Sequence, residues 1–89
     1  MKNYKKNKME TLKKIMVQGH HKNFEIEFML MKNEYEGISV YRVYAMLKKN
    51  GKIIDIAESL STYSKHDAED FFDMLVNTYL RYRYAKKIK

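Results

Sequence analysis

Asn50-Gly51 stands between two runs of apolar residues, Ile38–Lys48 and Lys52–Leu60, and it constrains the fold more than any other pair in the chain. A two-residue type I′ turn needs positive φ at both central positions, which Asn and Gly tolerate best. An Asn-Gly so placed predicts an antiparallel hairpin and its register. Leu47 would face Ile54, Ala45 would face Ile56, and Tyr41 would face Leu60. That apolar face is spoiled only where Glu58 would oppose Val43. The other face would pair Met46 with Asp55, Tyr44 with Ala57, and Arg42 with Ser59.

The segment before this hairpin continues the pattern. In FEIEFMLM, Phe24, Ile26, Phe28 and Leu30 alternate with Glu25, Glu27, Met29 and Met31. A period of two with acids on the alternate face is the mark of a half-buried strand. Asn33–Gly37 reads as a loop. Leu12–Gln18 reads as a first strand, ended by a turn at Gly19-His20-His21-Lys22; the competing reading puts Met9, Leu12, Ile15 and Met16 on one face of a short helix. Downstream, Ser64 suits a helix N-cap, with Asp67 at the reach-back position. Ala68, Phe71, Phe72, Leu75, Val76 and Tyr79 then recur at helical spacing as one apolar stripe. The expected fold is α+β: an antiparallel β-meander of three to four strands with one C-terminal helix packed on one face. It would comprise a flexible basic segment over residues 1–8, a single domain over 9–84, and a frayed basic tail over 85–89.

Eighty-nine residues hold one small core. The chain has no cysteine, so neither a disulfide framework nor thiolate chemistry is available. It has no apolar run of the roughly 18 residues that a spanning helix needs, and the basic start leads into no signal-peptide core. A cytoplasmic protein is expected. Lysine outnumbers arginine fifteen to three, and residues with AT-rich codons dominate, as in a low-GC bacterium, its phages or its mobile elements. The net charge of +7 is uneven. Residues 1–22 hold seven lysines against one glutamate, and residues 80–89 hold five basic residues and no acid. Residues 23–79 hold six basic residues against ten acidic ones, so the positive charge belongs to the two ends.

Chemistry-bearing residues are sparse. His20 and His21 are adjacent and His66 is distant, with no carboxylate or cysteine at a metal-binding spacing. Glu25 and Glu27 share one strand face, as solvated strand acids do, without a pocket or third polar group to make them an acid–base pair. Ser59, Ser61 and Ser64 lie in no nucleophile motif. A non-enzyme without cofactor or metal is expected.

Two resemblances emerge. Residues 24–80, through EYEGISVYRV, KKNGKIID and SKHDAEDFFDMLVNTYL, resemble a family of small uncharacterised clostridial domains. In those domains a proline-containing segment and another helix usually follow; here RYRYAKKIK stands in their place. The stretch YRVYAMLKKNGKIIDIAESLSTYSKHDAEDFFDML is similar in shape to the arm-type DNA-binding domain of tyrosine recombinases. It shares the strand, Asn-Gly hairpin, strand and the helix start Lys65-x-x-Ala68-Glu69-x-Phe71. That resemblance implies a sheet inserted in a major groove, whereas Glu25, Glu27 and Asp55 sit where positive charge would be wanted.

Binding is the expected activity. A single helix covers one side of a sheet, so Met29, Met31, Ile38, Val40, Tyr44 and Met46 would form an apolar patch on the other. Met29, Met31, Val40, Tyr44 and Met46, with Tyr82 at the rim of the helix, are the candidate protein interface, open to a partner or to a second copy of the chain. The basic ends are the candidate nucleic-acid contact: Lys5, Lys6, Lys8, Arg81, Arg83, Lys86, Lys87 and Lys89. The expectation is a small regulatory or accessory protein, directionality-factor-like or inhibitor-like, that binds a protein partner handling nucleic acid. The alternative is a direct DNA- or RNA-binding module working through both ends.

Overall fold

The computed structural model describes residues 8–19, 23–81 and 86–88. Four long strands, β1 (Lys8–Gln18), β2 (Phe24–Tyr35), β3 (Ile38–Lys49) and β4 (Lys52–Thr62), form an antiparallel meander. One helix, α1 (Lys65–Arg81), then packs across the sheet, and a short strand, β5 (Lys86–Ile88), pairs with β1. The sheet order is β4-β3-β2-β1-β5. No helix among the described residues is long and apolar enough to cross a membrane.

The strand reading of the first segment holds, and β1 already starts at Lys8. Both β2–β3 and β3–β4 are joined by two-residue turns with positive φ. Asn50 and Gly51 have φ of 52° and 82°, as expected, and Glu36 and Gly37 have 48° and 83°. The second turn replaces the loop expected over Asn33–Gly37: β2 runs on to Tyr35, and Asn33 is buried within the strand. Glutamate is an uncommon occupant of the left-handed region, so the turn carries only half of the usual signature.

The β3–β4 register differs from strict alternation. The pairing expected from the turn holds for Lys49↔Lys52 and Lys48↔Ile53, and then two irregularities each add a residue to β4. Leu47 therefore faces Asp55, Ala45 faces Ala57, and Val43 faces Leu60, while Met46 faces Ile56 and Tyr44 faces Glu58. Arg42 and Tyr41 face Ser61 and Thr62. The physical reason lies at Val43, which is fully buried. Strict pairing would set the Glu58 carboxylate against it in the core, at a cost of several kcal/mol. A bulge moves Glu58 to the opposite face and brings Leu60 to Val43. A one-residue shift exchanges faces, so Ile56, expected opposite Ala45, leaves the core side as well, while Ile53 keeps its place opposite Lys48.

The core lies between α1 and the sheet. Val17, Phe28, Leu30, Tyr41 and Val43 meet Ala68, Phe72 and Val76, with Leu12, Ile15, Ile26, Ala45, Leu60, Phe71, Leu75, Tyr79 and Leu80 around them. The stripe predicted for the helix is the one that packs. Ser64 caps it, its Oγ accepting from Asp67 N at 3.1 Å. An irregularity between Thr11 and Lys13 turns Lys13 to the helix side. There its ammonium lies 5.5 Å from the Phe72 ring centroid and 3.2 Å from Asp73.

Tyr79 packs edge-on to Phe28 with ring centroids 5.9 Å apart. Desolvation raises its phenol above the ordinary value of 10.0. A group whose folded pKa is raised contributes stability below its unfolded pKa and loses it as pH climbs through the folded one. Denaturant titrations of the wild type should therefore show stability falling above about pH 10. The Tyr79→Phe protein should show a shallower fall; identical slopes would reject the linkage to Tyr79.

The tail departs from expectation. Residues 86–88 do not fray: they add a fifth strand opposite Met16, Val17 and Gln18. Otherwise this part of β1 would be an unpaired edge, whose N–H and C=O groups form a template for another strand. Three residues are too few to show a strand period, so the pairing left no signal in the pattern. The helix is described to Arg81, and its expected continuation to Tyr84 lies outside the described residues.

Candidate functional site

A 17-residue helix is about 25 Å long, against about 40 Å for a 12-residue strand. Helix α1 covers one face of the sheet, and no described element lies across the other. The registers define that open face. From β1 it takes Met9, Thr11, Lys14, Met16 and Gln18; from β2, Glu25, Glu27, Met29, Met31, Asn33 and Tyr35. Strand β3 adds Ile38, Val40, Arg42, Tyr44, Met46 and Lys48, and β4 adds Ile53, Ile56 and Glu58. All five predicted sheet residues of the interface are therefore together: Met29 beside Tyr44, Met31 beside Arg42, Val40 beside Asn33, and Met46 beside Glu27. Each is half-buried by its neighbours. Tyr82 lies outside the described residues.

Lys14, Glu27, Lys48, Arg42 and Glu58 pair with one another within this face. Glu27, expected to be a solvated strand acid, is only 4 % exposed. Lys48 of β3 reaches its carboxylate at 2.8 Å and Lys14 of β1 at 3.6 Å, so one acid is clamped from both neighbouring strands. Sequence reasoning missed this role, although its signal was present: a lysine falls near the Glu27 level on each strand beside it. Arg42 Nε lies 3.9 Å from Glu58, an ion pair too long for a hydrogen bond. Its guanidinium is held above its ordinary value chiefly by a hydrogen bond with Tyr44, with Glu58 adding to the effect, so it stays charged throughout the working range.

Two buried polar atoms on this face have no hydrogen-bond partner: Asn33 Oδ1 and Arg42 Nε. They are diagonal neighbours across β2 and β3, since Asn33 faces Val40 and Arg42 faces Met31. Buried orphans of this kind are uncommon in folded proteins, and a bound partner is one way to satisfy them. Sequence reasoning also missed Met9, Met16, Ile53 and Ile56. The first two required the strand choice for β1, Ile53 follows from the turn pairing opposite Lys48, and Ile56 required the β4 bulges. The misfit of Glu58 against Val43 was the available clue to the latter.

The candidate nucleic-acid residues separate. Lys8 opens β1 opposite Glu34, while Lys86 and Lys87 lie opposite Gln18 and Val17 at the other end of the same strand. Ten residues of strand set them about 33 Å apart. Arg81 is exposed at the last turn of α1. Lys5, Lys6, Arg83 and Lys89 lie outside the described residues. Of the histidines, His66 pairs with Asp70 one helical turn away at 3.1 Å, and His20 and His21 also fall outside.

Comparison with protein-family models, with curated proteins and with solved structures finds no match for the chain.

Proposed function

We propose that this chain is a small non-catalytic accessory protein that docks a protein partner on the open face of its sheet, and that the partner handles nucleic acid. The observation that carries the reading is an uncovered apolar band whose central charges pair with one another. Burying the centre of such a face strands no unpaired charge, the usual penalty for desolvating a charged surface, since Glu25 lies at its end, beside the β3–β4 turn. Methionine side chains adapt to irregular surfaces, and this face holds Met9, Met16, Met29, Met31 and Met46. Four strands of this length present on the order of 700 Å², near the ~800 Å² that each partner contributes to a standard interface. The nucleic-acid connection rests on the basic charge, which lies away from this face.

Tyr44→Lys and Met46→Lys place a new cation in the middle of the band. Each should weaken capture of the partner from the native host at least tenfold while circular dichroism and the melting transition stay close to wild type. Asp70→Lys, on the outer side of α1, is the matched control and should retain the same captured protein. If Tyr44→Lys keeps its fold and captures as well as wild type, the open face is not the docking surface.

A further inference from the structure

We propose that the end of the sheet carrying the β3–β4 turn and β5 is a second binding surface, one that holds the phosphate backbone of duplex nucleic acid. It is separate from the open-face docking proposed above. Its cations come from sequence regions with opposite charge balance, and only the fold unites them. Lys49 and Lys52 flank the Asn50-Gly51 turn in the otherwise acidic middle of the chain, and both are exposed. Strand β5 sets Lys86 and Lys87 at the same end, opposite Gln18 and Val17. Two strands, β1 and β2, separate the β3 turn from β5, so the clusters stand about 14 Å apart at ordinary strand spacing. Phosphates lining a major groove about 12 Å wide lie at a comparable separation.

This end is built to hold its shape. Asn50 N donates to Asn23 O at 2.9 Å, tying the β3–β4 turn to the neighbouring one. Gly19 N and Gln18 Nε2 both donate to Phe24 O, at 2.9 and 3.1 Å. The Lys49 ammonium rests 5.5 Å from the centroid of the Phe24 ring, which positions it without neutralising it. Acids near this end are engaged or offset: Glu27 is clamped, Glu25 faces Lys48, and Asp55 accepts from Ile56 N at 3.0 Å. The exposed acids Asp67, Asp70 and Asp73 lie on α1, and Glu36 lies in the turn at the opposite end. A polyanion is thus drawn to this end in preference to the acidic outer side of α1. An anionic bilayer is the competing polyanion. A membrane-seated element carries apolar residues ahead of its lysines; here the tip is Asn50-Gly51, and Ile53 and Ile54 follow behind Lys52.

The test is fluorescence anisotropy of the full chain with two 20-base-pair duplexes of unrelated sequence, titrated with salt from 50 to 300 mM. Both duplexes should bind alike, with log K falling linearly in log salt. Each lost phosphate contact should reduce that slope by about 0.9. Lys49→Glu/Lys52→Glu should therefore flatten it by about 2 and weaken binding at 50 mM salt at least tenfold. Lys86→Gln/Lys87→Gln should act in the same direction, whereas Lys65→Glu at the far end should leave the slope unchanged. Tyr44→Lys should bind duplex as wild type does, which keeps this result independent of the open face. An unchanged slope in Lys49→Glu/Lys52→Glu would overturn the proposal. So would no duplex binding at 50 mM salt, or binding to phosphatidylglycerol vesicles in preference to duplex.

Discussion

Phe72→Ala should cost about 3–5 kcal/mol, the largest loss expected from a single substitution in this chain. Phe72 is fully buried and stands at the centre of the helix stripe, facing Leu30 and Val43, which are also fully buried. Truncation removes the transfer energy of a ring and leaves a cavity that a sheet of paired strands cannot close. A domain of this size has roughly 4–13 kcal/mol of total stability, so about a quarter or more would be lost. The melting temperature should fall by at least about 12 °C. The ring also carries the Lys13 ammonium, so part of the loss should come from freeing that side chain. Chemical denaturation with the slope held near wild type is the measurement. A loss under 1 kcal/mol would mean that α1 does not depend on this contact for its seat.

Glu27→Ala should cost about 2–3 kcal/mol, which no strand acid in a solvated position would. Lys48 is the reason. Its side chain is 19 % exposed and makes the 2.8 Å contact, so losing Glu27 leaves a poorly hydrated ammonium beside Met46. Lys14, at 58 % exposed and 3.6 Å, returns to water at little cost. Glu25→Ala, two residues away on the same face, should stay within about 0.5 kcal/mol. Removing both charges should largely restore stability. Glu27→Met/Lys48→Met is expected within about 1 kcal/mol of wild type, because an apolar pair can replace a buried ion pair. A double-mutant cycle in urea measures the coupling. Equal costs for Glu27→Ala and Glu25→Ala would remove Glu27 from its place as the clamp.

These two residues show what was legible in the sequence. Phe72 and its stripe could be read from spacing alone, because a helix repeats its inward face at a fixed period and one face of this helix is buried. The face of β2 was equally readable from Phe24, Ile26, Phe28 and Leu30. Glu27 was placed on the correct face but in the wrong environment, since alternation gives direction and not burial. Its burial depends on lysines supplied by β1 and β3, whose registers are tertiary facts. The β4 side chains were harder still. The Asn50-Gly51 turn sets the first two pairs, and each bulge then resets the count, so a correct turn led to an incorrect partner for Leu47, Ala45 and Tyr41. The patch residues Met29, Met31, Val40, Tyr44 and Met46 were unaffected, because they lie on β2 and β3, whose pairing is regular. Strand β5 was invisible because its partner is an edge and not a pattern.

The irregularities of β4 also bear on solubility. An outer strand of eleven residues with Ile53, Ile54 and Ile56 each about half exposed would, if regular, be an open invitation to sheet growth from molecule to molecule. Two added residues break the repeat that an incoming strand would have to match, and the Asp55 carboxylate already occupies the Ile56 N–H. The same insertions that keep Glu58 out of the core therefore make this strand, with its exposed isoleucines, a poorer template for an incoming strand than a regular edge would be.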